Sequence, residues 1–266
     1  MKKLIAALLS ICILLSLCSV AFAQEQIDYL LIGDSIAYGF GVVNRDEACY
    51  GKMVCNTNGY NYHNDAISGY EAKNLYNQIT TDESVRKHIE EAEIINISIG
   101  GNDIRHDNMM WLILSVAFGN INPITNSVSK FYKNFCKVMA EVKSINPEAT
   151  ILVQTVYNPY GQLFNGAFDK GTDVLNEVFY EYLDENPDAY TIVDVKSAFK
   201  GEWGIAALDT FHPSGKGNKI IAREILKTLK ELGLGEKTEP VILVEPLGEI
   251  AYPFYKLYKF FIWLSR

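Results

Sequence analysis

A hydroxyl, an imidazole and a carboxylate can together open an ester. The imidazole takes the hydroxyl proton during attack, and the carboxylate holds the ring in the tautomer that accepts it. Residues of these types stand at informative positions here. Ser35 sits in Gly33-Asp34-Ser35-Ile36, directly after the apolar run Tyr29–Ile32. A serine at the end of a strand and the start of a helix would meet the positive end of the helix dipole, which favours a developing alkoxide. An ordinary helix-capping serine would occupy the same place. Asp209 and His212 share the block Asp209-Thr210-Phe211-His212-Pro213. Three residues apart on one loop, the carboxylate can reach the ring Nδ1–H and leave Nε2 facing a serine. The plain alternative is a solvated aspartate beside an incidental histidine. His63, His88 and His106 have no acid at this spacing with a proline after the histidine, and His106, close after Asn102, is the one rival base.

Attack on a carbonyl also needs donors for the oxyanion. Gly69, in Asn64-Asp65-Ala66-Ile67-Ser68-Gly69, could turn its backbone N–H toward such an oxygen. Asn102, in Gly100-Gly101-Asn102-Asp103, offers a side-chain amide that donates without needing a protonation state. Each block alone is also what a turn looks like.

The elements that must position these groups are legible as runs and periodicities. Tyr29–Ile32, Ile94–Ile99, Thr150–Val156 and Tyr190–Val195 are apolar and β-branched, as buried strands are; Asn61–Ile67 is a weaker fifth. Between them lie helical patterns. In Asn126–Ile145 the residues Val128, Phe131, Phe135, Val138, Val142 and Ile145 recur at three and four, and Asn146-Pro147 ends the helix. A last helix runs from about Ser214 to Leu232 and stops at Gly233. Strand and helix in alternation predict parallel strands with crossover helices, an α/β class chain folded as a three-layer α/β/α sandwich around a central parallel sheet. Ligands bind such sheets at the carboxyl ends of the strands, where all four blocks fall.

The N-terminus reads separately. Lys2 and Lys3, an apolar run from Leu4 to Leu17 and the small-x-small site Ala21-Phe22-Ala23 predict a signal peptide over 1–23, cleavage after Ala23 and an extracytoplasmic or secreted protein. Losing the two lysines takes the formal charge from −8 to −10. So acidic a surface argues against a nucleic-acid partner. Cys49, Cys55 and Cys136 remain after cleavage; an odd number cannot pair completely, and Cys49 and Cys55 are near enough in sequence to form one bridge. No cysteine–histidine cluster has metal-ligand spacing, and a monomer is expected.

Taken together, the four blocks resemble the GDSL/SGNH hydrolase family, from Gly33 to His212, with Ile36 where that family usually has leucine. The resemblance implies a serine esterase with an SGNH-hydrolase or flavodoxin-like fold and no cofactor. It assigns Ser35 as nucleophile, His212 as base, Asp209 as the acid beside it, and Gly69 and Asn102 as oxyanion donors. The domain would span 24–235, with 236–266 as an aromatic-rich extension. The substrate class expected is a lipid or other acyl ester; a carbohydrate O-acetylesterase and a non-catalytic binding module are the alternatives. The stretch Ile104–Asn122 could be an apolar lid or a core helix, and Tyr157-Asn158-Pro159-Tyr160 should line the cleft or form a simple turn. Pro253–Arg266, rich in Phe, Tyr and Trp with Lys256 and Lys259, could dock on the body or lie in a membrane interface as a peripheral contact.

Overall fold

The computed structural model describes residues 26–105, 122–159 and 165–248. The expected leader at 1–23, His106 with most of the Ile104–Asn122 stretch, Tyr160 and the segment 253–266 lie outside them. Five strands, β1 (Asp28–Gly33), β2 (Asn61–Asn64), β3 (Ile94–Ser98), β4 (Thr150–Gln154) and β5 (Thr191–Val193), form one sheet in the order β2-β1-β3-β4-β5. Every neighbouring pair is parallel. The helices are α1 (Ser35–Tyr38), α2 (Arg45–Ala48), α3 (Tyr50–Asn58), α4 (Ala72–Thr81), α5 (Glu83–Glu91), α6 (Gly101–Arg105), α7 (Asn122–Ile145), α8 (Asn165–Glu185), α9 (Val195–Phe199) and α10 (Gly215–Glu231).

Strand alternation divides the core into two faces. Leu30 and Ile32 of β1, Ile95 and Ile97 of β3, and Ile151 and Val153 of β4 pack with α4, α5, α7 and α8. Phe131, Phe135 and Phe179 meet there edge to face, with centroids 5.1–5.8 Å apart in the edge-on pairs with Phe179. Tyr29, Leu31, Ile94 and Leu152 point the other way, onto α3, α9 and α10. The three-layer α/β/α reading holds, with both sheet faces covered.

The weak strand is weak for a physical reason. β2 is the edge, Asn-Tyr-His-Asn, and only half buried, so it needs no apolar run. The second face is also less apolar than expected. The Asn96 amide donates to the Tyr29 hydroxyl at 2.7 Å, and the Gln154 amide donates to Asn96 Oδ1 and to the Tyr50 hydroxyl, both at 2.8 Å. These four side chains are buried and satisfied as one network across β1, β3, β4 and α3, which ties strand register to helix position.

Cys49 and Cys55 are free and buried, and Cys136 is free and half-buried. Cys49 is the extended cap residue before α3 and Cys55 lies within that helix, and the two are not bridged. Cys49 Sγ instead lies 3.2 Å from the Tyr62 hydroxyl.

Candidate active site

From β1 the chain passes to β2 on one side, then returns to β3 on the other, so the sheet has its switch point between β1 and β3. That is where loops diverge and leave a crevice. Gly33 ends β1 there with φ +131°, and a Cβ on it would stand 1.9 Å from the Ser98 carbonyl oxygen. Only glycine lets β1 end this close to β3. Asp34 then caps α1, its side chain accepting the Ile36 N–H at 2.9 Å, and this places Ser35 at the first helical position.

Ser35 and His212 are 177 residues apart in sequence, yet His212 Nε2 lies 2.8 Å from Ser35 Oγ. His212 Nδ1 is hydrogen-bonded to Asp209 Oδ2. Asp209 Oδ1 also accepts the Phe211 and His212 backbone N–H groups, each at 3.0 Å. Burial pushes the Asp209 carboxyl up, but the bonds from Phe211, the His212 ring and the His212 N–H outweigh it and hold the carboxyl below its usual range. The aspartate therefore stays charged beside the imidazole.

The loop carrying the pair is braced from several sides. The Ala207 N–H donates to the His212 carbonyl at 2.8 Å, and Thr210 at the turn has φ +66°, an uncommon conformation for a β-branched residue. The Tyr157 hydroxyl donates to the Phe211 carbonyl at 2.8 Å. Tyr157 is buried, so it props this loop from beneath and does not line the cleft as expected; Asn158 turns to Asp169, at 3.0 Å. Asn218 on α10 donates to the Pro213 and Ser214 carbonyls and accepts the Tyr50 N–H, all at 3.0 Å. On the open side the Phe40 ring lies against the imidazole, centroids 4.4 Å apart. Gly41, with φ +95°, makes this approach possible, since a Cβ there would be 2.6 Å from the Pro213 carbonyl oxygen.

The other two sequence candidates flank the same crevice. Asn102 is buried at the start of α6, and its amide donates to the Tyr70 carbonyl at 2.9 Å. That bond fixes the amide plane and leaves its second N–H as a donor for a ligand. Gly69 is exposed, one residue before Tyr70, so Asn102 anchors the loop that carries it. Neither the Ser35 nor the Gly69 backbone N–H has a partner among the described residues. The Gly69 segment is tied to the end of β1 by the Ile67 N–H on the Gly33 carbonyl at 3.1 Å, next to a hydroxyl bonded to an imidazole, a pairing able to activate a nucleophile.

Sequence reasoning assigned nothing to two acids inside its own blocks. Burial pushes Asp34 up to about 7. Asp103 is likewise pushed up to about 7, by burial first and then by the charges of Glu71 and Asp34, although it accepts the Ala72 N–H. Tyr157, Asn218 and Gly41 were also missed as supports, because their partners lie on other elements. A second histidine–aspartate pair exists, His88 Nδ1 to Asp65 Oδ2 at 2.7 Å, with the His63 ring tilted against His88, centroids 4.6 Å apart. No serine, threonine or cysteine is bonded to either ring among the described residues.

Residues 31–220 match the GDSL-like Lipase/Acylhydrolase family. The chain belongs to that family. It is 25% identical over 228 residues to the protein YpmR of Bacillus subtilis (strain 168), covering 79% of this chain and 84% of that one. Among solved structures, the lipase Lip_vut3 from a goat rumen metagenome superposes with a TM-score of 0.65 at 19% identity, covering 79% of this chain and 99% of the other. The acetyl xylan esterase Axe2 from Geobacillus stearothermophilus does so at 0.53 and 20% identity, covering 79% and 96%. At such identities the structural likeness speaks for the fold. Membership, resting on the family match, makes the chain a GDSL-type acylhydrolase.

Proposed function

We propose that this GDSL acylhydrolase is an extracytoplasmic serine esterase that cleaves carboxylic esters through an acyl-enzyme on Ser35. The observation that carries the reading is the continuous hydrogen-bonded chain from Ser35 Oγ through His212 to Asp209. His212 Nε2 takes the hydroxyl proton as Ser35 Oγ adds to the substrate carbonyl. The carbonyl oxygen becomes an oxyanion held by the Ser35 and Gly69 N–H groups and the Asn102 amide. The intermediate collapses, the imidazolium protonates the leaving alcohol, and an acyl ester remains on Ser35. Water then adds to the acyl carbonyl as His212 takes its proton, and the acid leaves as the imidazolium returns that proton to Ser35 Oγ. Asp209 stays ionised throughout and steadies the imidazolium.

Labelling of Ser35 by a fluorophosphonate, together with loss of p-nitrophenyl acetate turnover in Ser35→Ala, tests this. A Ser35→Ala protein with full turnover overturns it. Phe40, exposed against the His212 ring, and Ile67, exposed just after β2, favour an apolar acyl or lipid ester over a sugar acetate. An acetyl-to-decanoyl series of p-nitrophenyl esters separates the two, and a sharp preference for acetyl supports the carbohydrate O-acetylesterase instead.

A further inference from the structure

The ester mechanism uses two contacts of the His212 ring, Ser35 at Nε2 and Asp209 at Nδ1. A third contact serves no step of it. The Phe40 ring lies against the imidazole with centroids 4.4 Å apart and planes inclined by 43°. The edge-on pairs with Phe179 in the core stand farther apart, at 5.1–5.8 Å. Two rings as close as Phe40 and His212 are in contact, and at this inclination neither stands edge-on to the other. Phe40 is 39% exposed, so burial alone does not account for its place.

The chain holds this ring where it is. Phe40 belongs to the segment that carries the nucleophile: α1 begins at Ser35, and the Phe40 N–H donates to the Ser35 carbonyl at 3.0 Å. The next residue, Gly41, would have its Cβ 3.1 Å from His212 Cβ, which is how closely the two loops approach. Four residues on, buried Asn44 pins the segment to the chain that follows α10. Its amide donates to the Glu245 carbonyl at 2.9 Å and its Oδ1 accepts the Leu247 N–H at 2.8 Å, while the Val43 N–H donates to the Leu247 carbonyl at 2.8 Å. Between those two points Pro246 packs on Gly215, where a Cβ would stand 2.9 Å from the proline Cγ. The returning chain thus ties the Phe40 segment to the start of α10, three residues after His212.

An aromatic face is electron-rich and attracts a cation within about 6 Å of its centroid. His212 begins each half-reaction as a neutral base and becomes an imidazolium as Ser35, and later water, adds to the carbonyl. The attraction is therefore stronger at the barrier than before it, which is the condition for speeding a step. We propose that Phe40 is a positioning residue of the catalytic histidine, whose ring keeps the imidazole aligned between Asp209 and Ser35 and favours the imidazolium of both half-reactions. The inference rests on the esterase reading and deepens it by adding a residue outside the triad and the oxyanion donors.

Steady-state kinetics of Phe40 variants on p-nitrophenyl acetate and p-nitrophenyl octanoate test it, with a thermal melt of each variant alongside. Leucine keeps apolar bulk and loses the π face; tyrosine keeps both. In Phe40→Leu, kcat and kcat/KM should fall by the same factor, about two- to fivefold, with KM unchanged and with equal losses on the two esters. Phe40→Met, a second side chain without a π face, should show the same loss, and Phe40→Tyr should stay within about twofold of the parent. Leucine and methionine variants as fast as the parent overturn the proposal. So does a tyrosine variant as slow as the leucine one, since the π face would not then be the cause. A loss that grows from acetyl to octanoyl also overturns it, because Phe40 would be touching the acyl chain instead of acting through His212. A parent that hydrolyses neither ester and takes no fluorophosphonate removes the esterase reading and this role with it, whereas an active parent with unaffected variants removes this role alone.

Discussion

Asp209→Asn isolates the electrostatic part of the site from its geometry. Asparagine is isosteric, and its Oδ1 can still accept the Phe211 and His212 N–H groups, now 3.0 Å away, so the turn survives. Its NH₂ then faces His212 Nδ1, where the aspartate Oδ2 accepts a proton-bearing nitrogen. The ring answers by switching tautomer. Nε2 carries the proton, donates toward Ser35 Oγ across the 2.8 Å contact and has no lone pair left for the serine proton. The imidazolium also loses its charged partner. Expected losses in kcat are about 10³–10⁴-fold, or about 4–5.5 kcal/mol of barrier. KM should change little, because no substrate contact is removed. Losing charge-assisted bonds to a partly exposed loop costs stability by about 1–2 kcal/mol, too little to unfold the chain. Turnover of p-nitrophenyl acetate with a parallel thermal melt reads both quantities. A kcat loss below tenfold in a folded variant would refute the reasoning, since the base would not then depend on Asp209 for its tautomer.

The same contacts lead to other expected outcomes. Asn102→Ala should lower kcat about 10²–10³-fold, and an unchanged kcat would remove it from the oxyanion site. Asp34 and Asp103 keep their protons in the folded chain up to about 7, against roughly 3.9 when unfolded. Their contribution is complete below the unfolded value and disappears as pH rises to about 7, so Tm should fall between about pH 4 and 7. Asp209, held low, acts oppositely, but only as pH drops through its folded value, below that window. Asp34→Asn keeps the cap and should flatten the calorimetric slope; a slope equal to that of the parent would contradict the assignment. Asn218→Ala strands the Pro213 carbonyl and the Tyr50 N–H and should cost about 2–4 kcal/mol in urea denaturation, where a loss under about 0.5 kcal/mol would show that α10 is positioned without it.

Much of this arrangement is legible in the chain because it is local. Asp34 beside Ser35, and Asp209 three residues before His212, are relations that a turn or one helix start can realise. The strands read clearly where both faces are buried, as in Leu30–Ile32 and Ile94–Ile97, and poorly at β2, where an edge needs no apolar pattern. Asn96 and Gln154 look like interruptions in apolar runs, and nothing nearby in sequence says that they satisfy each other. Whether Cys49 and Cys55 pair was open in the sequence, and the structure leaves both thiols free.

By itself the sequence determined the fold class, the family and the short blocks at the strand ends, since each depends on residue type and on spacing within a few positions. Tertiary structure alone decided that Ser35 meets His212, that Tyr157 and Asn218 hold the loop from below, that Asp34 and Asp103 are buried enough to keep their protons, and that the 232–248 run returns to Asn44. These are relations between residues tens to hundreds of positions apart. Their energies depend on distance, burial and direction, which a linear order of side chains does not contain until the strands are placed side by side.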